Sequence, residues 1–214
     1  MRVFDAVRNL KAFRSSEDRV VPRDVIGRVI EAGRHAPSPG NVQSLEFIVV
    51  EDDRSLNFLA DKTGDQRLEE VPTAVVVLGD LARMRRQVGP SGSEIACYSE
   101  AACAAQNMRL VAEEEDISSC WVTGFDQVAV KTHFNIPEEK QPLGVVALCF
   151  SDDEIESEER FGIGDIVFYD NYENRMRSNF DNIEWKGIDE NRRIVSKRFA
   201  GLRSKIRKKL GDIL

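Results

Sequence analysis

The sequence predicts a single domain in which helices and strands alternate around one buried sheet. Three observations predict it. Apolar runs of strand length alternate along the chain with segments whose apolar residues recur at helical spacing. One run, TAVVVLGD at 73–80, is apolar without a break through its centre, the pattern of a strand covered on both faces. A chain of 214 residues is long enough for one sizeable core.

The elements follow in order. Phe4, Val7 and Leu10 share one face of a first helix, and Val25, Ile26, Val29, Ile30 and Gly33 share one face of a second, with Pro22 suited to its first turn. LEFIVVED predicts a strand, 54–63 a short helix, and 73–80 the second strand. Residues 91 to about 115 form the longest helix candidate, opened by a Ser cap. Its middle is rich in Ala, Cys and Ser, so neighbouring helices can approach it closely. SSCWVTG then gives a strand ending in Gly124, 126–134 a helix, NIPEEKQP a loop, and LGVVALCF (143–150) a last strand.

Composition narrows the function. The formal net charge of −7 gives no global reason to expect a nucleic-acid partner, because phosphate neutralisation needs a basic surface. No segment approaches the ~18 uninterrupted apolar residues of a membrane span, and MRVFDAVRNLKAF has no cleavage-type region, so a soluble, cytoplasmic protein is expected. Cys97, Cys103, Cys120 and Cys149 match neither zinc-ligand nor Cys-x-x-Cys spacing and sit among apolar or small residues, as buried thiols do. His35 and His133 lie far apart, and no metal site is expected.

The composition changes after Phe150. Residues 151–160 hold six carboxylates against one Arg, whereas 191–214 hold nine Lys or Arg against Asp212. Val195, Phe199, Leu202, Ile206 and Ile213 form an apolar stripe on that basic segment. Such a helix suits docking on a partner subunit, an anionic surface or nucleic acid.

Three clusters are candidates for a pocket. In APSPGNVQ (36–43), Pro, Gly, Asn and Ser suit a tight turn, and the same residues hold amides at fixed angles for a flat, heteroatom-rich ligand. Arg8 and Lys11 lie three apart on a helix face, an ordinary solvated surface or a shared anion site. The third cluster is the strand end Trp121-Val122-Thr123-Gly124. There is no phosphate loop of Walker or Rossmann spacing, and no Ser or Cys nucleophile beside an evident His. Chemistry borrowed from a cofactor fits that poverty of acid, base and metal groups.

In this order the motifs resemble the nitroreductase family of FMN-dependent reductases, over about residues 4–170. VRNLKAF is similar to the family's opening Arg-rich motif, and APSPGNVQ to its Ala-Pro-Ser-x-x-Asn-x-Gln. LEEVPTAVVVLGD matches its Ala-Pro strand opening, AACAAQNMRLVAEEEDISSCWVTGFD its Ala-x-Gln-Asn helix and following strand, and FNIPEEKQPLGVVALCF with Arg160 its closing strand and phosphate-binding Arg. The resemblance implies an α+β domain (1–170) with a mostly antiparallel sheet flanked by helices; residues 171–214 are then an extension whose basic amphipathic helix is expected, from its apolar stripe, to dock on the partner subunit. It implies a homodimer with FMN at the interface. Arg8, Asn9 and Lys11 would then face the phosphate, ribityl chain and pyrimidine, while Pro37, Ser38, Pro39 and Asn41 line the ring from the partner chain. Thr123 and Gly124 would lie at its reactive edge, and Arg160 would complete the phosphate clamp.

The implied activity is transfer of hydride from NADH or NADPH through the flavin to a small acceptor such as a quinone or nitroaromatic. The sequence departs from the pattern at Val7, Asn9, Ser44-Leu45 and Glu158, and two phosphate-facing charges are lost. A non-enzymatic flavin- or ligand-binding dimer, with its basic terminal helix in regulation or nucleic-acid contact, is the alternative.

Overall fold

In the computed structural model, residues 2–10, 12–153 and 160–174 are described. They fall into two compact units, Met1–Ser157 and Glu158–Leu214. Lys11, Glu158 and the basic segment 191–214 lie outside the described residues.

The first unit contains α1 (Val3–Asn9), α2 (Arg23–Arg34), a single 3-10 turn (Pro39–Asn41), β1 (Leu45–Val50), α3 (Asp53–Thr63), α4 (Arg67–Glu70), β2 (Thr73–Asp80), α5 (Leu81–Val88), α6 (Pro90–Glu114), β3 (Ser118–Val122), α7 (Gln127–His133) and β4 (Lys140–Cys149). The described part of the second unit holds α8 (Ile163–Ile166) and a Phe168–Tyr172 ring stack.

The four strands form one sheet in the order β1-β2-β4-β3, and every pairing is antiparallel. This is the α+β architecture with the sheet flanked by helices that the motifs imply. All eight residues of β2 are buried, as its unbroken apolar run predicts. Successive side chains on a strand point to opposite faces, so Val75 and Val77 join the core under α2, α5 and α6, while Ala74, Val76 and Leu78 join the core under α3, α4 and α7. β4 divides in the same way, with Val146 and Leu148 on the first face and Val145, Ala147 and Cys149 on the second.

Several expectations are corrected. β4 begins at Lys140, inside the expected loop, because Lys140 and Gln141 pair with Asp80 and Gly79; Pro142 enters the strand beside a register shift between Val77 and Leu78. Ser91 does not cap α6. The helix begins at Pro90 after Gly89 at φ 79°, with no side-chain cap, and proline suits a first turn whose N–H would be unpaired anyway. Cys103 is exposed, lying off the stripe of Cys97, Glu100, Ala101, Ala104, Ala105 and Met108 that faces the sheet. The apolar face expected of α1 is largely exposed. Ala6 is its buried residue, whereas Phe4 and Val7 remain 45% and 48% exposed.

Two local contacts fix the chain near the sheet. The Asp153 carboxylate accepts the backbone N–H groups of Arg14 (2.6 Å) and Ser15 (2.8 Å), which hold its pKa down at about 2. A depressed carboxylate stabilises the fold above its ordinary value of 3.8 and loses that contribution as pH falls through about 2. The Ser15 amide resonance should therefore titrate with a midpoint near 2; a midpoint at the ordinary carboxylate value would contradict the contact.

Trp121 lies so close over Gly144 that a Cβ added there would come within 2.1 Å of the indole. Gly144→Ala is expected to lower stability by about 1–3 kcal/mol through overpacking and to shift Trp121 fluorescence. Urea unfolding and emission spectra read both, and unchanged values would contradict the packing.

Candidate active site

A cleft of about 570 Å³ opens where the α3–α4 connection meets the end of β3. One wall runs from Thr63 to Arg67 and the other from Trp121 to Thr123. The first wall is shaped by its own hydrogen bonds. α3 ends at Gly64, whose φ of 69° is left-handed and favours glycine, and whose N–H donates to the Ala60 carbonyl. Asp65 N–H then donates to Thr63 Oγ1, and Asp65 Oδ1 accepts from Arg67 N–H.

Asp65 and Arg67 form a two-pronged pair, with Arg67 Nε donating to Oδ1 at 2.8 Å and Nη2 to Oδ2 at 2.5 Å. The paired hydrogen bonds hold the Asp65 carboxyl below its ordinary pKa and raise that of Arg67. This fork fixes the guanidinium plane and leaves Nη1 without a hydrogen-bond partner among the described residues. A second arginine stands behind it. Burial lowers the pKa of Arg109, on α6, while its charge acts on Cys120 and Arg67. Its Nε is buried with no hydrogen-bond partner among the described residues. Desolvation pushes the Cys120 thiol up to about 11, so this cysteine is a buried apolar group and not a nucleophile.

The opposite wall comes from the edge strand. Trp121 contributes to this wall from the strand while its indole packs over Gly144 with the α2, α5 and α6 core, Thr123 is exposed, and Gly124 turns away at φ 84° toward α7, whose N-cap Asp126 accepts from Ala129 N–H. The cleft therefore offers a hydroxyl, the amide of Gln66 and one fixed cation edge.

Of the residues singled out in the sequence, Thr123 lines this cleft and Gly124 follows it directly; Arg8, Asn9 and the 37–41 stretch do not line it. Arg8 is exposed, its guanidinium 5.8 Å from the Phe4 ring centre. Arg160 belongs to the second unit and is exposed.

The 37–43 stretch is a shaped loop in its own right. Gly40, Asn41 and Gln43 all have positive φ, at 59°, 57° and 52°. Ser38 Oγ accepts from Gln43 N–H at 2.9 Å, Asn41 Oδ1 from Gln43 Nε2, and the Gln43 carbonyl from Arg83 Nη1 at 2.7 Å. Gly40 sits at φ 59°, in the left-handed region that favours glycine, with the Gln87 side chain of α5 over its Cα. Pro37 and Asn41 remain exposed.

Sequence reasoning missed Asp65, Arg67 and Arg109. Asp65 and Arg67 stand two residues apart before a four-residue helix, and this carries no motif; the available signal was the left-handed glycine, Gly64, followed by a charged pair.

Comparison with known proteins agrees with this architecture. A protein of Archaeoglobus fulgidus, provisionally named an NADH dehydrogenase/NAD(P)H nitroreductase, is 28% identical over 161 residues, covering 71% of this chain and 88% of its own. A protein of Methanothermobacter thermautotrophicus with the same provisional name is 24% identical over 155 residues, covering 70% and 78%. The crystal structure of a provisionally named NADH oxidase from Clostridium acetobutylicum superposes with a TM-score of 0.68 at 26% identity, over 78% of this chain and 100% of that one. A further structure, from Parabacteroides distasonis, has a TM-score of 0.71 at 23% identity, over 79% and 98%, and bears on the fold alone. The profile described as "Nitroreductase family" matches residues 12–70 and 53–149, more than half of the sequence. By its fold, the order of its motifs and this match, the chain belongs to the nitroreductase family.

Proposed function

We propose that the chain is an NAD(P)H-dependent oxidoreductase that works as a homodimer with FMN, passing reducing equivalents to a small acceptor such as a quinone or nitroaromatic. The observation that carries this reading is the cleft between Asp65–Arg67 and Trp121–Thr123 in a chain of this family. Its volume falls in the ~300–1,000 Å³ range of small-molecule sites. Its donor set suits a flat, heteroatom-rich ring: hydroxyl and amide, with one guanidinium edge and the buried Nε of a second arginine both without a hydrogen-bond partner among the described residues.

FMN supplies the hydride chemistry when bound. The chain's own residues bind, orient and bias it. Arg67 is held rigid by Asp65 and, with a flavin ring in the cleft, would supply a fixed cation beside it; a cation near the charge that collects on reduction favours the reduced state over the oxidised one. Arg109 adds positive potential from behind. Thr123 and Trp121 border the edge at which donor and acceptor alternate. Arg8, Asn9, Lys11 and Arg160 are assigned to the phosphate, ribityl chain and pyrimidine.

The wall missing from the cleft is assigned to Pro37, Ser38, Pro39 and Asn41 of a second copy. Exposed apolar side chains on three helices support a second copy: Phe4 and Val7 on α1, Ile95 (71% exposed) and Tyr98 on α6, and Val128 (75% exposed) on α7. Gln127 Nε2 donates to Tyr98 Oη at 2.7 Å, which joins the α6 and α7 parts of this surface.

The test is the visible absorbance of the purified protein, identification of the released flavin, and anaerobic titration with NADH and NADPH. We expect FMN near one per chain, bleached by either or both donors and reoxidised by a quinone. A protein that gains no flavin absorbance with excess FMN would sink the reading.

A further inference from the structure

Glu100 lies at the middle of α6, is 3% exposed, and faces no Lys, Arg or His among the described residues. Its carboxylate is held by a single residue: Oε1 accepts from Ser44 N–H at 3.2 Å and Oε2 from Ser44 Oγ at 2.6 Å. Ser44 is itself fully buried, its hydroxyl 3.6 Å from Cys97 Sγ and its carbonyl accepting from Asp80 N–H at 2.8 Å. A buried carboxylate with no cation is a poor way to stabilise a core, because desolvation costs more than two hydrogen bonds return and an apolar side chain serves better. Its use lies in where it holds Ser44.

Ser44 is the anchor of the shaped loop. The residue before it, Gln43, sits at φ 52° and carries the loop's internal bonds to Ser38 and Asn41 and its external bond to Arg83. Glu100 grips both the N–H and the hydroxyl of Ser44, which neither proline nor alanine at this position could offer together. Serine here and a buried carboxylate on α6 are two halves of one contact between the loop and the long helix.

We propose that Glu100 is a positioning residue: acting through Ser44, it sets the loop 38–43 at the height required to cover the flavin ring. This rests on the proposed assignment of that loop to the flavin site. Glu100 itself touches no reacting atom.

Three variants test it, Glu100→Gln, Glu100→Met and Ser44→Ala, each read by FMN titration, visible circular dichroism of bound flavin, urea unfolding, and hydrogen exchange at Gln43 and Ser44 without flavin. Glutamine can accept from Ser44 N–H through its oxygen and donate to Ser44 Oγ through its amide, so Glu100→Gln should bind FMN within a few-fold of the parent. Glu100→Met should leave the urea midpoint unchanged or raised. It should nevertheless weaken FMN about tenfold, the scale of one lost charge-assisted hydrogen bond, alter the flavin dichroism and speed exchange at residues 43 and 44. Ser44→Ala should weaken FMN in the parent but add nothing in the Glu100→Met background.

Parallel loss of stability and FMN affinity with no rescue by glutamine would reduce Glu100 to a structural residue and overturn the proposal. Unchanged FMN affinity and exchange in Glu100→Met would overturn it equally. Should the parent bind no flavin, the proposed function fails; exchange at residues 43 and 44 still decides whether Glu100 orders the loop.

Discussion

The pairing of β2 with β4 is the constraint on which the rest of the structure depends. Both strands are central, β2 is buried along its whole length, and both divide their side chains between two cores. A sheet buried on both faces needs helices on each, and α6 on one side and α3, α4 and α7 on the other supply them. What is left for function is the perimeter. The edge strand β3 ends at the cleft, and the other edge strand, β1, begins at the shaped loop, so the two candidate walls of the site hang from opposite edges of one rigid sheet.

Charges tie those perimeters to the sheet. Lys140, at the start of β4, donates to Asp80 at the end of β2 at 2.8 Å and pairs with Glu46 of β1, while Asp80 also accepts from Arg83 N–H. Burial opposes ionisation of Asp80, but the Lys140 hydrogen bond and the Arg83 N–H outweigh it and its pKa falls; bonding to Asp80 and Glu46 raises that of Lys140. The Asp80 contribution is present above 3.8 and lost as pH falls through its lower folded value. The Lys140 contribution is present below 10.5 and lost as pH rises through its higher one. The lock therefore holds across the neutral range, and through Arg83 it reaches the Gln43 carbonyl of the loop.

The strands and the long helix were legible because their signal is local. TAVVVLGD gave β2 to the residue, and the Ala- and Cys-rich stretch gave α6 to within a residue at each end. The short helices α4 and α5 were not legible: four and eight residues are too few to show a helical apolar period, and each opens beside a carboxylate that accepts a backbone N–H, Asp65 from Arg67 and Asp80 from Arg83. The polar start of β4 was hidden because Lys140 is drawn into the sheet by carboxylates from two other strands. Of the cleft's lining, Thr123 was singled out in the sequence, but as part of a strand running to Gly124, whereas β3 ends at Val122. The Asp65–Arg67 fork is local but matches no motif, and the Glu100–Ser44 grip and the burial of Arg109 Nε depend on segments far apart in sequence that no spacing announces.

The central claim is that the flavin site is composite, half from the cleft of one chain and half from the loop of another. Its most direct test is linkage between FMN binding and self-association, measured by sedimentation velocity with flavin-absorbance detection across a dilution series. The account predicts that flavin sediments with the dimer, two per dimer, and that FMN shifts the monomer–dimer equilibrium toward the dimer. Flavin that sediments with a monomer at undiminished affinity would contradict it.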